Sequence, residues 1–279
     1  MTCVNTARAR RLASGIALLT IIVAAPANGA RAADLFDDFT TLRGTVSGGP
    51  VRWDGIQLGG HIGYVNSQTD FGHATRESVE MLTKQTTIEN EDPPSEWQVL
   101  GKGSNTGRVF GGFIGYNWQL DSVIIGIDAA YNYTGGITTR GRGDLGPGRV
   151  VTTSDGNTWI VDIRGRSRLT IHDYATLRAR VGYAMGQFLP YAFVGGAVGR
   201  FDYRTRTIAS ITSGGTASID RVQAKEGAFN PGLTTGLGVD IAILPNMYLR
   251  AEYEFNAFLE LAGITPMTHT GKVGLGFRF

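Results

Sequence analysis

The chain has 279 residues, with 26 Lys and Arg against 24 Asp and Glu, so its formal net charge of +2 leaves no basic excess of the kind that binds nucleic acid. A single cysteine, Cys3, excludes a disulfide framework. Forty Gly against 9 Pro, with 10 Tyr and 13 Phe, suit an all-β chain with crowded side chains.

The N-terminus reads as an export signal. Arg8, Arg10 and Arg11 precede an apolar run from Leu12 to about Ala25, and Ala30-Arg31-Ala32 supplies a small-x-small cleavage site. The run is short for the roughly 20 apolar residues of a membrane-spanning helix. Residues 1–32 are therefore expected to be a cleaved signal peptide, handing the chain to the Sec route. Removing Arg8, Arg10, Arg11 and Arg31 leaves 22 basic residues against 24 acidic, a net charge of about −2. Residues 33–52, with "DDFT" and "TVSGGP", read as a periplasmic lead-in, and residues 53–279 as one barrel domain.

Eight segments alternate with a period of two, the signature of strands. The first, Trp53–Tyr64, aligns Ile56, Leu58, Gly60, Ile62 and Tyr64. The second, Val109–Trp118, aligns Phe110, Ile114, Tyr116 and Trp118, and the third, Ser122–Tyr133, sets Ile125, Ile127, Tyr131 and Tyr133 against Asp128 and Asn132. The fourth, Tyr174–Met185, contrasts Leu177, Val181 and Tyr183 with Arg178 and Arg180. In the fifth, Leu189–Tyr203, the apolar face is read as Tyr191, Phe193, Ala197, Phe201 and Tyr203, with Val194 and Val198 breaking the polar face. The sixth, Leu233–Ile241, and seventh, Met247–Phe255, oppose apolar faces to Asp240 and to Arg250, Glu252 and Glu254. The eighth ends the chain, with Val273, Leu275, Phe277 and Phe279 on one parity.

The connections alternate. "QLD", "GQF" and "LPN" are short, whereas Val65–Arg108, Thr134–Asp173 and Arg204–Gly232 are long, and Asn256–Thr268 is intermediate. This rhythm predicts an eight-stranded antiparallel up-and-down transmembrane β-barrel, with four long extracellular loops and short periplasmic turns. The central apolar parities carry no Lys, Arg, Asp or Glu. A basic residue at the bilayer midplane of such a barrel costs roughly 2–4 kcal/mol. Tyr64, Phe110, Tyr131, Tyr133, Phe201, Tyr203 and Phe255 fall at the long-loop end, and Trp118, Tyr183, Tyr191, Phe277 and Phe279 at the other, as two interfacial belts. The last strand must close on the first, because hydrocarbon tolerates no open edge.

"GGFIGYNWQL" (111–120), "LRARVGYAMGQFLPYAFVGGAVG" (177–199) and the terminal "GFRF" resemble the small outer-membrane barrels of alphaproteobacteria, the porin-family or outer-membrane immunogenic proteins. "WDGIQLGGHIGY" is similar to that family's opening strand, with Ile56 in place of its usual aromatic. The resemblance covers roughly Trp53–Phe279. It implies an outer-membrane location, a lipid and lipopolysaccharide environment, and insertion by the assembly machinery that reads a final strand ending in Phe, here Phe277 and Phe279.

An eight-stranded barrel is just wide enough for side chains to fill. The inward parity holds His61, Asp128, Arg178, Arg180, Arg200, Asp202, Asp240, Arg250, Glu252, Glu254, Lys272 and Arg278. Asp128, Arg178, Arg180, Asp240, Arg250, Glu252, Glu254 and Arg278 are the expected interior ion-pair network. Buried charges must be paired or wet. One reading is a cross-barrel plug; the other is a hydrated path for which inward Gly59, Gly63, Gly126, Gly182, Gly236, Gly238, Gly274 and Gly276 leave room.

Other chemistry is set aside. "GGHIG" lacks the strand-to-helix context of a phosphate loop. None of His61, His73, His172 and His269 shows a His-x-Ser arrangement, so no enzyme, metal site or cofactor is expected. The first long loop carries seven acids between Gln68 and Lys102, whereas "RGRSR" offers Arg164, Arg166 and Arg168. Those arginines either grip lipopolysaccharide phosphates, which Arg matches bidentately, or pair with the acidic loop. The functional expectation is a structural, surface-exposed envelope protein. The alternatives are a narrow porin and a ligand or haem binder using loop histidines; oligomeric state is not legible.

Overall fold

The computed structural model describes residues 51–146 and 148–279. The expected signal peptide, 1–32, and all but the end of the lead-in, 33–52, lie outside the described residues. The strands are β1 (Gly55–Asp70), β2 (Lys102–Leu120), β3 (Val123–Asp144), β4 (Arg149–Thr152), β5 (Thr158–Tyr183), β6 (Phe188–Thr212), β7 (Thr216–Leu244), β8 (Met247–Phe258) and β9 (Thr265–Arg278). Their order is β3-β2-β1-β9-β8-β7-β6-β5-β4, and a further β3–β5 pairing shuts the ring. All the pairings are antiparallel, so the wall has eight strands and β4 is a short hairpin arm on β5. The seam between β1 and β9 runs from Asp70↔Thr265 to Gln57↔Arg278 and finishes with mutual backbone bonds of 3.0 and 3.1 Å between Ile56 and Phe279.

Tight links join β2 to β3, β5 to β6 and β7 to β8 at one end. At the other end the structure differs from the expected loops. The strands continue to Asp70, Asp144 and Thr212, and β3, β5, β6 and β7 reach 22, 26, 25 and 29 residues. A membrane crossing takes about 9–11 residues, so much of the barrel wall stands above the lipid.

The physical reason is an inversion of faces. At membrane level β5 points Leu177 and Val181 outward and Thr176, Arg178 and Arg180 inward. Above it, Val161, Ile163, Leu169 and Ile171 point inward and Arg164, Arg166 and Arg168 outward. Register shifts between Tyr133 and Ile137 on β3, between Ile171 and Asp173 on β5 and between Lys225 and Ala228 on β7 mark the change, while β6 keeps one parity inward throughout. One inserted residue exchanges the two faces of a strand, which is what a wall needs where its outer solvent changes from hydrocarbon to water.

The first connection, Phe71–Gly101, is not a free loop. It folds into α1 (Arg76–Thr83), α2 (Thr87–Glu91) and a 3₁₀ turn at Pro94–Glu96. Phe71, Val79, Ile88, Trp97 and Leu100 pack with Ile163, Leu169, Phe201 and Ile211 of the wall in one apolar core. Inward Gly141 and Gly165 sit directly beneath Phe71 and Leu100. At the opposite end Trp53 is fully buried; its backbone N–H donates to Gln119 Oε1 (2.6 Å) and its carbonyl accepts from Asn117 Nδ2 (3.0 Å).

The reading of β6 is reversed. Tyr191, Phe193, Ala197 and Phe201 face the interior, with Val194 and Val198 on the lipid side. Arg200 and Asp202 consequently leave the inward set, and Tyr191, Phe201 and Tyr203, which packs against the inner core, leave the aromatic belts. Both faces of β6 are apolar, so alternation alone has no sign there. The inward glycines are likewise covered rather than open. A Cβ on Gly236 would lie 2.4 Å from the Phe193 ring, and one on Gly276 would lie 2.2 Å from the Tyr248 ring.

Gly276→Ala is expected to lower stability by about 1–3 kcal/mol through overpacking. Gly271→Ala, whose Cβ meets nothing within 4 Å, should stay within about 0.5 kcal/mol. Urea unfolding of the two variants in lipid checks the difference.

Candidate functional sites: the charged interior and the outer arginine face

Strand geometry aims the interior charges at one another. Asp128 on β3 and Arg178 on β5 are register partners, as are Asp240 on β7 and Arg250 on β8, and Glu252 on β8 and Lys272 on β9. Arg178 holds Asp128 with a two-pronged contact, Nε to Oδ1 at 2.7 Å and Nη2 to Oδ2 at 2.8 Å. Its Nη1 donates to Glu254 (3.0 Å) and Glu252 (3.2 Å) across the barrel. Lys272 Nζ lies 2.9 Å from Glu254 and 3.5 Å from Glu252. Lower down, Arg250 holds Asp240 in the same forked way (2.8 and 2.9 Å), and Arg180 reaches the same carboxylate at 3.4 Å.

Four basic side chains (Arg178, Arg180, Arg250, Lys272) thus face four acidic ones (Asp128, Asp240, Glu252, Glu254), and all eight are at most 8% exposed. Neutral polar groups take up part of the remaining hydrogen-bonding capacity, while among the described residues Arg250 Nη1 and Gln57 Nε2 are left without a hydrogen-bond partner. Arg180 donates to Gln57 (2.7 Å) and Asn117 (2.9 Å), Tyr191 donates to Glu252 (2.7 Å), and Tyr248 donates to Gln57 (2.9 Å). Aromatic faces cover the guanidiniums: Phe193 lies 4.3 Å from Arg178 and Phe113 4.1 Å from Arg250. Such contacts gain strength when desolvated. Sequence alternation puts Phe113 on the inward parity but Phe193 on the wrong face, although the register lays Phe193 opposite Gly236, which makes room for it.

Arg278 departs from the expected network. It donates to the Pro245 carbonyl and stacks 5.0 Å from Trp53, at the turn end of the barrel. His61 bonds Asn132 at 2.9 Å inside the barrel. Phe277 faces lipid, and Phe279 contributes its backbone to the seam.

Arg164, Arg166 and Arg168 lie on the outward face of β5, above the membrane, and not in a loop. Arg164 meets Asp144 (3.4 Å) and Asp162 (3.3 Å). The acidic first connection finds other partners: Asp92 pairs with Arg149 (2.9 Å) and Glu77 with Arg221 (3.0 Å). Nearby, Arg206 donates to both oxygens of Asp220 (3.0 and 2.7 Å), and these bonds hold that carboxyl below its ordinary pKa. Among the described residues no group of three or more His, Cys, Asp or Glu is arranged to hold a metal ion.

The chain belongs to the outer membrane protein beta-barrel domain family, whose profile matches residues 50–279. It is 25% identical over 177 residues to the 25 kDa outer-membrane immunogenic protein of Brucella melitensis, covering 61% of this chain and 64% of the relative. The match therefore spans a little under two-thirds of that relative's length. The 31 kDa outer-membrane immunogenic protein of the same organism is 25% identical over 282 residues, covering 94% and 98% of the two chains. A 22 kDa outer membrane protein of Rhizobium leguminosarum is 26% identical over 151 residues, or 53% of each. The protein is accordingly an outer-membrane β-barrel of the immunogenic-protein class, surrounded by lipid and lipopolysaccharide.

Arg178→Met strands Asp128 and Glu254 without their shared partner and is expected to cost about 3–5 kcal/mol. Adding Asp128→Asn and Glu254→Gln should return part of that loss, because the uncompensated charge goes with them. Equilibrium unfolding of the single and triple variants measures both effects.

Proposed function

We propose that this protein is a closed barrel with a structural and surface-presenting role in the cell envelope, and not a conduit. The observation that carries the reading is the double filling of the interior. A neutral set of paired charges occupies the membrane level, and the folded segment Phe71–Gly101 fills the wall above it with apolar side chains. Trp53 closes the turn end. An ion crossing this barrel would have to break buried paired charges, at a cost of several kcal/mol each.

The same reading assigns insertion to the outer-membrane assembly machinery acting on β9, with Phe277 and Phe279 as its signal. It assigns no catalysis. Among the described residues the one contact between a histidine and a carboxylate, His172 to Asp202 at 2.7 Å, lies on the outer surface, and Asp202 is also occupied by the Gly227 N–H.

Planar-bilayer recording from the refolded barrel tests the reading. The expected result is silence from protein shown to be folded by its heat-shifted gel mobility. Deleting residues 72–100 should also leave the barrel silent, since the charged level remains. Steady unitary steps from the unmodified chain would make it a narrow porin.

A further inference from the structure

Six arginines form a grid on the outer surface of the wall, on three adjacent strands. The cross-strand register places Arg140 of β3, Arg168 of β5 and Arg204 of β6 in one row, and Arg142, Arg166 and Arg206 in the next. Neighbours in a row are about 5 Å apart at Cα, and the rows are separated by roughly 7 Å. All six are exposed, and they line a groove of about 350 Å³. Among the described residues only Arg206 has a carboxylate partner, Asp220. The neighbouring Asp144 and Asp162 are engaged by Arg164.

Like charges placed directly opposite on paired strands destabilise the pair. A soluble sheet surface interleaves charges of both signs to avoid this, as the lower interior of this barrel does. Five guanidiniums without a counter-charge are therefore a surface arranged for an external polyanion. Arg provides forked, planar donors that match the oxygens of phosphate and carboxylate.

The position of the grid selects among polyanions. Tyr133 of the outer aromatic belt is the register partner of Asp173, and Arg168 lies five residues farther along β5. At about 3.3 Å per residue and a strand tilt of 35–45°, the lower row stands on the order of 12 Å above that belt. This is too high for the phosphates at the hydrocarbon boundary, and level with the first sugars above them. Strand side chains stand perpendicular to the sheet, so the arginines point sideways into the surrounding leaflet and not toward the medium. A macromolecule arriving from above meets the strand tips before it meets this face.

We propose that Arg140, Arg142, Arg166, Arg168, Arg204 and Arg206 bind the anionic inner-core saccharide of lipopolysaccharide in the same leaflet. The inference rests on the outer-membrane placement and is independent of whether the barrel conducts. It gives the envelope role a partner: the wall is tethered to the saccharide layer through several bidentate contacts.

The test compares the refolded barrel in detergent with the fourfold variant R140Q/R142Q/R168Q/R204Q, using four probes: a rough-type lipopolysaccharide with a phosphorylated inner core, the same material after dephosphorylation, lipid A alone, and dextran sulfate. The unmodified barrel is expected to bind the phosphorylated core roughly tenfold or more tightly than lipid A. The fourfold substitution should abolish that preference, and dephosphorylation or added salt should weaken it. Three results would overturn the proposal: a preference that survives the substitutions, equal binding of lipid A alone, or capture of dextran sulfate with no preference for the core. The dephosphorylated arm uses the unmodified protein, so the test stands even if the variant does not fold.

Discussion

A charge inside a membrane barrel must be paired or kept wet, and the neutrality of this interior constrains everything around it. Arg178 must meet Asp128 and Glu254 at once, and those three residues sit on β5, β3 and β8. Arg250 and Asp240 tie β8 to β7, and Lys272 ties β9 to β8. Slipping any of these strands by two residues would keep its apolar face toward lipid while separating the partners. Hydrophobic alternation alone leaves such slips degenerate; the ion pairs remove the degeneracy. Buried pairs are weak evidence for net stability, but setting a register is their best-attested use.

The second constraint is the change of solvent along the barrel axis. The outward face of the wall must change from apolar to polar where hydrocarbon gives way to water, and β3, β5 and β7 achieve it by exchanging faces at register shifts grouped near the outer aromatic belt. Above the shifts the apolar side chains turn inward and require something to pack against. The Phe71–Gly101 segment supplies it, with Phe71, Val79, Ile88 and Trp97. The same exchange turns the arginines of β3 and β5 outward, beside Arg204 and Arg206 of β6, which keep the outward parity of Val194 and Val198 along the whole strand.

Much of the membrane level was legible in the sequence because its physics is local. Ile56 to Tyr64, Ile125 to Tyr133 and Leu249 to Phe255 alternate cleanly, and the short turns between β2 and β3, β5 and β6, and β7 and β8 stand out. Legibility failed where the period breaks or loses its sign. The bulges interrupt the alternation at Gly135, His172 and Glu226, so in the sequence the continuing strands look like the start of loops. On β6 both faces are apolar, and only the three-dimensional placement of Arg178 against Phe193 identifies the inner one. The charges of the interior could be named from parity, but Arg278 could not be separated from the rest, because its partners are the Pro245 carbonyl and the Trp53 ring. The arginine grid was half visible: "RGRSR" marks β5, whereas Arg140, Arg142, Arg204 and Arg206 join it only through register.

Water occupancy of the interior tests the account most directly. With Cys3 replaced by Ser, a single cysteine is placed at Ser67 or at Thr234, both buried and inward, and a small water-borne thiol reagent is applied to the folded barrel. The account predicts no modification at either position until the barrel is unfolded. Labelling of the folded protein at the rate of an exposed cysteine would contradict it, because it would mean that water, and not paired side chains, fills the barrel.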